Sequence, residues 1–266
     1  MNYIIWNGIN SNTIKDLIIQ ELPPITKPPI RTDVFEIEGR DGDIIEQNGY
    51  SAYDKEILIG ITQNANIANI NDTESIDRIF EYFKGTGQVT FSNEPDKYYN
   101  AQIFDEISAE RLVKFRQASV IFHTQPFKYL ANEPIVDVTI DQQKIDRQTE
   151  KQSDDQKTKE QQTEINITNQ GLELSKPVIT LYGTNIVEIS INTIGTFQLN
   201  FSVNPDLPDE YLTVNSEIEE CYKDTIKTLK NRSMAGEFPV LNPGENIIAW
   251  TGNLKRIVIE PRSRWL

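Results

Sequence analysis

Few residues of this sequence stand where chemistry needs them. Asp41-Gly42-Asp43 has the opening of a calcium loop, but that pattern also needs an oxygen ligand at the fifth position and a glutamate at the twelfth. Ile45 and Ala52 hold those positions, so the pattern is rejected. The single histidine, His123, follows a β-prone run on the side of Val113, Phe115 and Ile121. A hydrogen-bonded structural role outweighs that of a base or ligand there. The single cysteine, Cys221, has no second thiol in the chain for a disulfide or a thiolate zinc site. No serine or cysteine nucleophile stands in a recognisable setting, and no glycine-rich loop has phosphate-cradling spacing. With 40 Asp and Glu in the chain, close carboxylate pairs arise by chance, and a glycosidase dyad is not readable. Trp250 and Trp265 are the candidate sugar contacts, although tryptophan more often fills a core or an interface. The expectation is no catalytic residue, no metal and no cofactor.

The bulk numbers narrow the class further. A chain of 266 residues makes one or two domains, each large enough for its own core. Its net charge of -14 repels nucleic acid and anionic membrane, so binding of either through a basic surface is not expected. The first residues, MNYIIWNGINSNTIKDL, lack a basic leader and a long apolar run. No run reaches membrane-spanning length, and synthesis in a cytoplasm is expected.

The elements that must position any site are mostly strands. Val34, Phe35 and Ile37 form one β-prone run and Ile44-Ile45 begins another, with Gly39-Arg40-Asp41-Gly42 between them. Asp-Gly between such runs is a strong hairpin signal, because both residues tolerate positive φ. Ile57, Ile59 and Ile61 then alternate with Glu56 and Leu58, which predicts a half-buried strand. Pro23, Pro24, Pro28 and Pro29 lack amide donors, so 22–30 cannot sit inside a sheet and should run extended across a surface. That piece is either a stiff connection or a strap laid against a neighbouring subunit. Ile76, Ile79, Phe80 and Phe83 form one helical stripe, with Asp72 or Thr73 as cap and Gly85 as stop. Val89 and Phe91, then Tyr99, Ala101 and Ile103, make two arms around a turn at Asn93 to Lys97, and 111–124 reads as a long strand.

Composition changes sharply at 141–164, where Ile145 is the only apolar residue until the next β-prone run. Such a stretch buries no core face and should stay solvated and open to trypsin between Lys144 and Lys159. Strand-like EPIVDVTI before it and EINITN after it suggest an excursion between paired strands. Beyond it, SKPVITLYG, IVEISI, TFQLNFSV, IIAW and LKRIVIEP are strands. Turns at Asn242 to Asn246 and Thr251-Gly252-Asn253 punctuate them, a pattern that argues for a β-sandwich. Residues 211–230 suit either a helix (Ile218, Tyr222, Ile226, Leu229) or a strand (Leu212, Val214, Ile218, Tyr222).

Gly39-Arg40-Asp41-Gly42 after a short strand, some forty residues into the chain, resembles the distal tail (Dit) proteins of siphovirus-type bacteriophages. The helix, then GTGQVTFSNEPDKYYNA, then the 111–124 run resemble that family's first domain in the same order. Asn169-Gln170-Gly171, Ser175-Lys176-Pro177, Gly183, Val214-Asn215-Ser216-Glu217, Gly236-Glu237-Phe238-Pro239 and Pro243-Gly244-Glu245-Asn246 resemble its second. Asn215 departs from an expected aspartate but fills the same turn role. The resemblance implies a mainly β chain: a ring-forming, tail-tube-like domain with one helix at 1–133, and a galectin-like β-sandwich at 134–266 carrying the polar excursion at 141–164. It tips 211–230 towards a strand hairpin. It also implies a structural hub of the virion tail tip, six copies forming a ring that joins the tail tube protein to the tail-tip hub and a receptor-binding protein. Pro23, Pro24, Pro28, Pro29, Arg40 and Asp41 would lie at subunit interfaces. The rival reading is a carbohydrate-binding module for host cell-wall glycan, and a cell-wall hydrolase is third.

Overall fold

Alternating apolar and polar side chains build most elements, and the fold is mainly β. The computed structural model of the chain describes residues 2–62, 74–140, 163–192, 194–200 and 211–266. Two units divide it, Met1–Ala131 with Trp265–Leu266, and Asn132–Arg264. The helix caps expected at Asp72 or Thr73, the strand residues Phe201 and Val203, and most of the 141–164 run lie outside the described residues.

The first unit opens with β1 (Ile4–Trp6) and β2 (Ile9–Asn10), joined by Asn7-Gly8 at φ 50° and 80°. β3 (Leu17–Glu21), β4 (Ile30–Glu36), β5 (Asp43–Tyr50) and β6 (Tyr53–Ile61) follow. Then come α1 (Glu74–Tyr82), β7 (Gly85–Phe91), β8 (Lys97–Ile103), α2 (Ala109–Phe115) and β9 (Gln117–Leu130). The main sheet runs β2-β1-β7-β8-β9-β6-β3. The Asn2 side-chain amide, just before β1, donates to the Gln20 carbonyl of β3 at 2.9 Å. Ile57, Ile59 and Ile61 point into the core as their alternation predicts, and Ile76, Ile79 and Phe83 bring the helix onto it. Phe122 lies at the centre, its ring edge-on to Trp6 at 5.3 Å and to Phe91 at 5.7 Å.

Residues 111–124 are not one long strand. Ser108 caps a short helix by accepting from the Arg111 amide at 3.3 Å, and Arg116, left-handed at φ 55°, ends it. The strand begins only at Gln117, so among the described residues the unit has two α-helices, α1 and α2, where one was expected. Val113 and Phe115 therefore do not share His123's side of a strand.

The second unit contains β10 (Val136–Thr139), β11 (Thr163–Asn169), β12 (Val178–Ile191), β13 (Ile194–Asn200), β14 (Tyr211–Asn215) and β15 (Glu220–Tyr222). β16 (Met234–Gly236) and β17 (Gly244–Glu260) complete it, and β18 (Arg264–Trp265) straddles the boundary. Two long strands pair, β12 over its length with residues 248–260 of β17, and the register shifts at Tyr182/Gly183 and Thr184/Val187. Their first and last halves take different neighbours. β14 pairs with residues 178–182 of β12 and β13 with 186–191, while β11 pairs with the start of β17 and β10 with its end. One folded sheet thereby closes over a single core that includes Ile179, Leu181, Ile189, Phe197, Val214, Trp250 and Ile257.

The second shift corrects one turn. Thr251-Gly252-Asn253 does not reverse the chain, because Gly252 takes φ 92° inside β17 as a bulge. A side chain there would meet the Ile186 carbonyl oxygen at 2.4 Å, so both conformation and space demand glycine. Residues 211–222 form a strand hairpin, with Val214 opposite Cys221, while Ile226 and Leu229 stay exposed in the turns beyond.

Candidate functional site

Among the described residues, the hairpin of β4 and β5 stands out for its exposed apolar side chains. It pairs only with itself, as a separate two-stranded sheet. Register sets Val34 opposite Ile45, Phe35 opposite Ile44 and Glu36 opposite Asp43. Successive pairs point to opposite faces of a pleated ribbon, so Val34 and Ile45 occupy one face while Phe35 and Ile44 occupy the other. All are exposed, Val34 at 54% and Ile45 at 63%. The turn closes with the Arg40 amide donating to the Ile37 carbonyl at 3.1 Å, and Gly39 and Gly42 supply positive φ. Arg40 and Asp41 are exposed at this tip, flanked by Glu36, Glu38 and Asp43. A lone two-stranded ribbon is marginal in water, and one with apolar residues on both faces gains most from being clasped.

The proline strap leads into this hairpin and lies on its own domain. The Asn93 amide donates to the Pro23 carbonyl at 3.0 Å, and the Lys55 ammonium to that of Pro24 at 3.3 Å. The Ser51 amide donates to the Pro29 carbonyl at 2.8 Å. Pro23 and Pro28 are buried, while Pro24 and Pro29 face solvent. The strap is thus held by hydrogen bonds to its carbonyls, the one backbone group that proline retains. The interface residues read from the sequence fall into two groups: Pro24, Pro29, Arg40 and Asp41 on the surface, Pro23 and Pro28 beneath it.

Beneath the strap is a buried charged cluster that sequence reasoning missed. Lys55 is 3% exposed, its ammonium over the Tyr53 ring at 5.0 Å and the Tyr99 ring at 4.9 Å. Beside it Lys128 pairs with Glu94 at 2.6 Å, and the Tyr99 hydroxyl donates to Glu94 at 2.8 Å. Burial pushes the Lys55 pKa down to about 8, helped by Lys128 and opposed by Glu94. A signal was available: Lys55 has the same parity as the inward-facing Ile57, Ile59 and Ile61.

A pH dependence follows. The folded chain holds the Lys55 proton less tightly than the unfolded chain does, whose lysine titrates near ~10.4. Between about pH 8 and that value the unfolded state binds more protons, so stability rises with pH. Below pH 8 the buried cation costs its full penalty, up to about 3 kcal/mol at ~1.4 kcal/mol per pKa unit. Above about pH 10 the slope reverses, because burial raises the Tyr82 and Tyr99 hydroxyls and the folded chain then keeps protons that the unfolded one loses. Urea unfolding at pH 7.5 and 9.5 should show wild-type chain gaining stability relative to Lys55→Met. Parallel profiles for the two chains would mean that the ammonium is effectively solvated.

The remaining candidates are accounted for individually. The His123 ring meets Asp54 at 2.8 Å and lies 5.4 Å from the Phe104 ring, a structural pairing at the surface of β9. Trp250, at 4% exposure, packs in the second core and offers no ring face to a sugar, which corrects its reading as a sugar contact. Trp265 is half-buried with the Lys97 ammonium 5.1 Å over its ring. Burial pushes the Cys221 thiol up to about 11, so it is a poor nucleophile. Among the described residues no group of three or more His, Cys, Asp or Glu is placed to hold a metal.

No family model matches this chain, and no curated protein matches it significantly. Solved structures do. The Dit protein (gp 19.1) of phage SPP1, described as a paradigm of the hub adsorption apparatus in phages infecting Gram-positive hosts, matches with a TM-score of 0.66 at 16% identity, over 100% of both chains. Two structures of the phage p2 baseplate in its activated conformation, with strontium and with calcium, match at TM-scores of 0.46 and 0.48, each at 7% identity over 97% of both chains. From end to end, across both units, the chain has the fold of the SPP1 Dit protein.

Proposed function

We propose that this chain is a structural hub of a phage tail tip, a distal tail protein whose copies form a ring. The observation that carries the proposal is the exposed hairpin with apolar side chains on both faces, in a chain with the Dit fold. The first unit builds the ring, and residues Pro24, Pro29, Arg40 and Asp41 lie where copies meet. Six copies, set by the family resemblance alone, join the tail tube protein to the tail-tip hub and a receptor-binding protein. The role is architectural, not enzymatic.

Electrostatics shape the test. Each copy brings a net charge of -14, so assembly works against repulsion that salt screens. Light scattering on the full chain should give a closed oligomer whose population grows between low and moderate salt, and electron micrographs should show rings. A chain that stays monomeric at high concentration and moderate salt overturns the reading. If fragments are used, the second must start at residue 132. A fragment from 165 would lack β10, which pairs with residues 256–259 of β17.

A further inference from the structure

The hairpin of β4 and β5 carries, besides its apolar pairs, one of the chain's two Asn-Gly dipeptides, Asn48-Gly49; the other is Asn7-Gly8 in the β1–β2 turn. Before glycine, an asparagine side chain is open to attack by the next backbone nitrogen, because no Cβ blocks the approach and the backbone turns freely. An intramolecular attack of this kind is governed by how readily the two atoms reach each other. All four residues are exposed, so exposure does not separate the two sites. Restraint does. The Asn7 backbone amide donates to the Gln88 carbonyl at 2.9 Å, and its Oδ1 accepts from the Gln88 amide at 3.1 Å. That side chain fills the space beside Gly87, where a Cβ would stand 1.5 Å from Oδ1. Asn48 sits instead where the hairpin's ladder is broken. The register shifts between Ile30 and Thr32, and neither Asn48 nor Gly49 has a partner in it. Gly49 is at φ 94°, on a lone ribbon of two strands.

We propose that Asn48 is a self-modifying site, at which the free chain deamidates spontaneously and chiefly to isoaspartate. The Gly49 amide nitrogen bonds to the Asn48 side-chain carbonyl carbon and closes a succinimide ring. The bond from that carbon to Nδ2 breaks, and ammonia leaves with the Gly49 amide proton. Water then opens the ring at one of its two Asn48 carbonyls. Opening at the side-chain carbonyl gives aspartate. Opening at the backbone carbonyl gives isoaspartate, with the main chain rerouted through the side chain. The surroundings favour the second. The Asn48 side-chain amide donates to the Asp33 carboxylate, so a carboxylate formed on that side meets a like charge. The Arg31 guanidinium donates to the Asn48 backbone carbonyl at 3.0 Å, so the isoaspartate carboxylate forms beside a cation. Either product ends the donation to Asp33, and isoaspartate adds a methylene to one side of the ladder. Both loosen the hairpin, and the effect on self-association rests on the ring reading above.

The test uses the full chain incubated at pH 8.5. Trypsin separates the two sites, since Asn48-Gly49 falls in the 41–55 peptide and Asn7-Gly8 in the 1–15 peptide. An isoaspartyl methyltransferase should label the first at least ~10-fold faster than the second, and the difference should vanish when the chain is incubated in urea. Equal labelling of the two in the folded chain, or a 41–55 peptide that reacts only in urea, overturns the proposal. Asn48→Gln chain should stay unlabelled at that position and keep its self-association longer than wild-type chain under the same treatment. Aged wild-type chain that assembles as fully as fresh chain overturns the effect on assembly and leaves the site standing. A chain monomeric from the start overturns the ring reading, and the labelling still decides the site.

Discussion

Replacing Val34, Phe35, Ile44 and Ile45 together with threonine should lower self-association by at least ~100-fold while leaving the melting of the isolated chain nearly unchanged. These four side chains belong to neither hydrophobic core, so their removal takes nothing from the folded monomer. Threonine keeps the β-branched preference that the ladder needs. In an assembly, each buried aliphatic or aromatic side chain contributes roughly 1.5–3 kcal/mol. Losing the pair on one face alone, at least ~3 kcal/mol, is a hundredfold in the dissociation constant. Sedimentation reads the association, and circular dichroism shows whether the fold survives. Unchanged oligomers would mean that copies meet elsewhere and that the hairpin awaits a different protein.

Phe122→Ala should have the largest effect on stability, and it should be confined to one unit. The Phe122 side chain is 0% exposed and touches rings from three elements, Trp6, Phe91 and Phe83, the last at 6.2 Å. Truncating a buried phenylalanine costs ~3–5 kcal/mol through lost transfer energy and the cavity left behind. Domain stabilities are only ~5–15 kcal/mol, so the first unit should melt many degrees lower or fail to fold. The second unit has its own core and should keep its transition. Calorimetry should therefore show one peak moving and one staying, and two peaks that fell together would reveal that the units unfold as one.

Much of this architecture is legible in the residues because it rests on local periodicity. Ile57, Ile59 and Ile61 face inward, as do Ile76, Ile79 and Phe83, and Phe197 and Leu199, because strand and helix geometry leave them no other choice. The hairpin around Asp41-Gly42 is equally plain. That its apolar side chains stay exposed among the described residues is not, since exposure depends on what the other strands do. The helix at Ala109–Phe115 is hidden because its apolar residues run into those of β9 without a break, and only Ser108 marks the start. Gly252 shows the ambiguity of a glycine–asparagine pair: positive φ serves a reversal and a bulge alike, and the pairing of β12 decides which.

The position of β17 also governs when the second unit can exist. It pairs with β10, β11 and β12 and fills the middle of the sheet, yet its residues, 244–260, come last in the unit but for a few. On a ribosome, the first unit's main sheet is complete apart from its closing residues once β9 has emerged, and domains generally fold in that order. The second unit cannot follow in the same stepwise way. Until residue 260 is free, β10 has no partner and β12 has only β13 and β14, so Ile179, Leu181, Val187 and Ile189 lie on a strand with one edge open. Its folding is therefore late and all at once, with pairings that span more than a hundred residues, such as Val136 to Ile259. A nascent chain arrested near residue 240 should be a finished first unit trailing a sticky, unfolded tail.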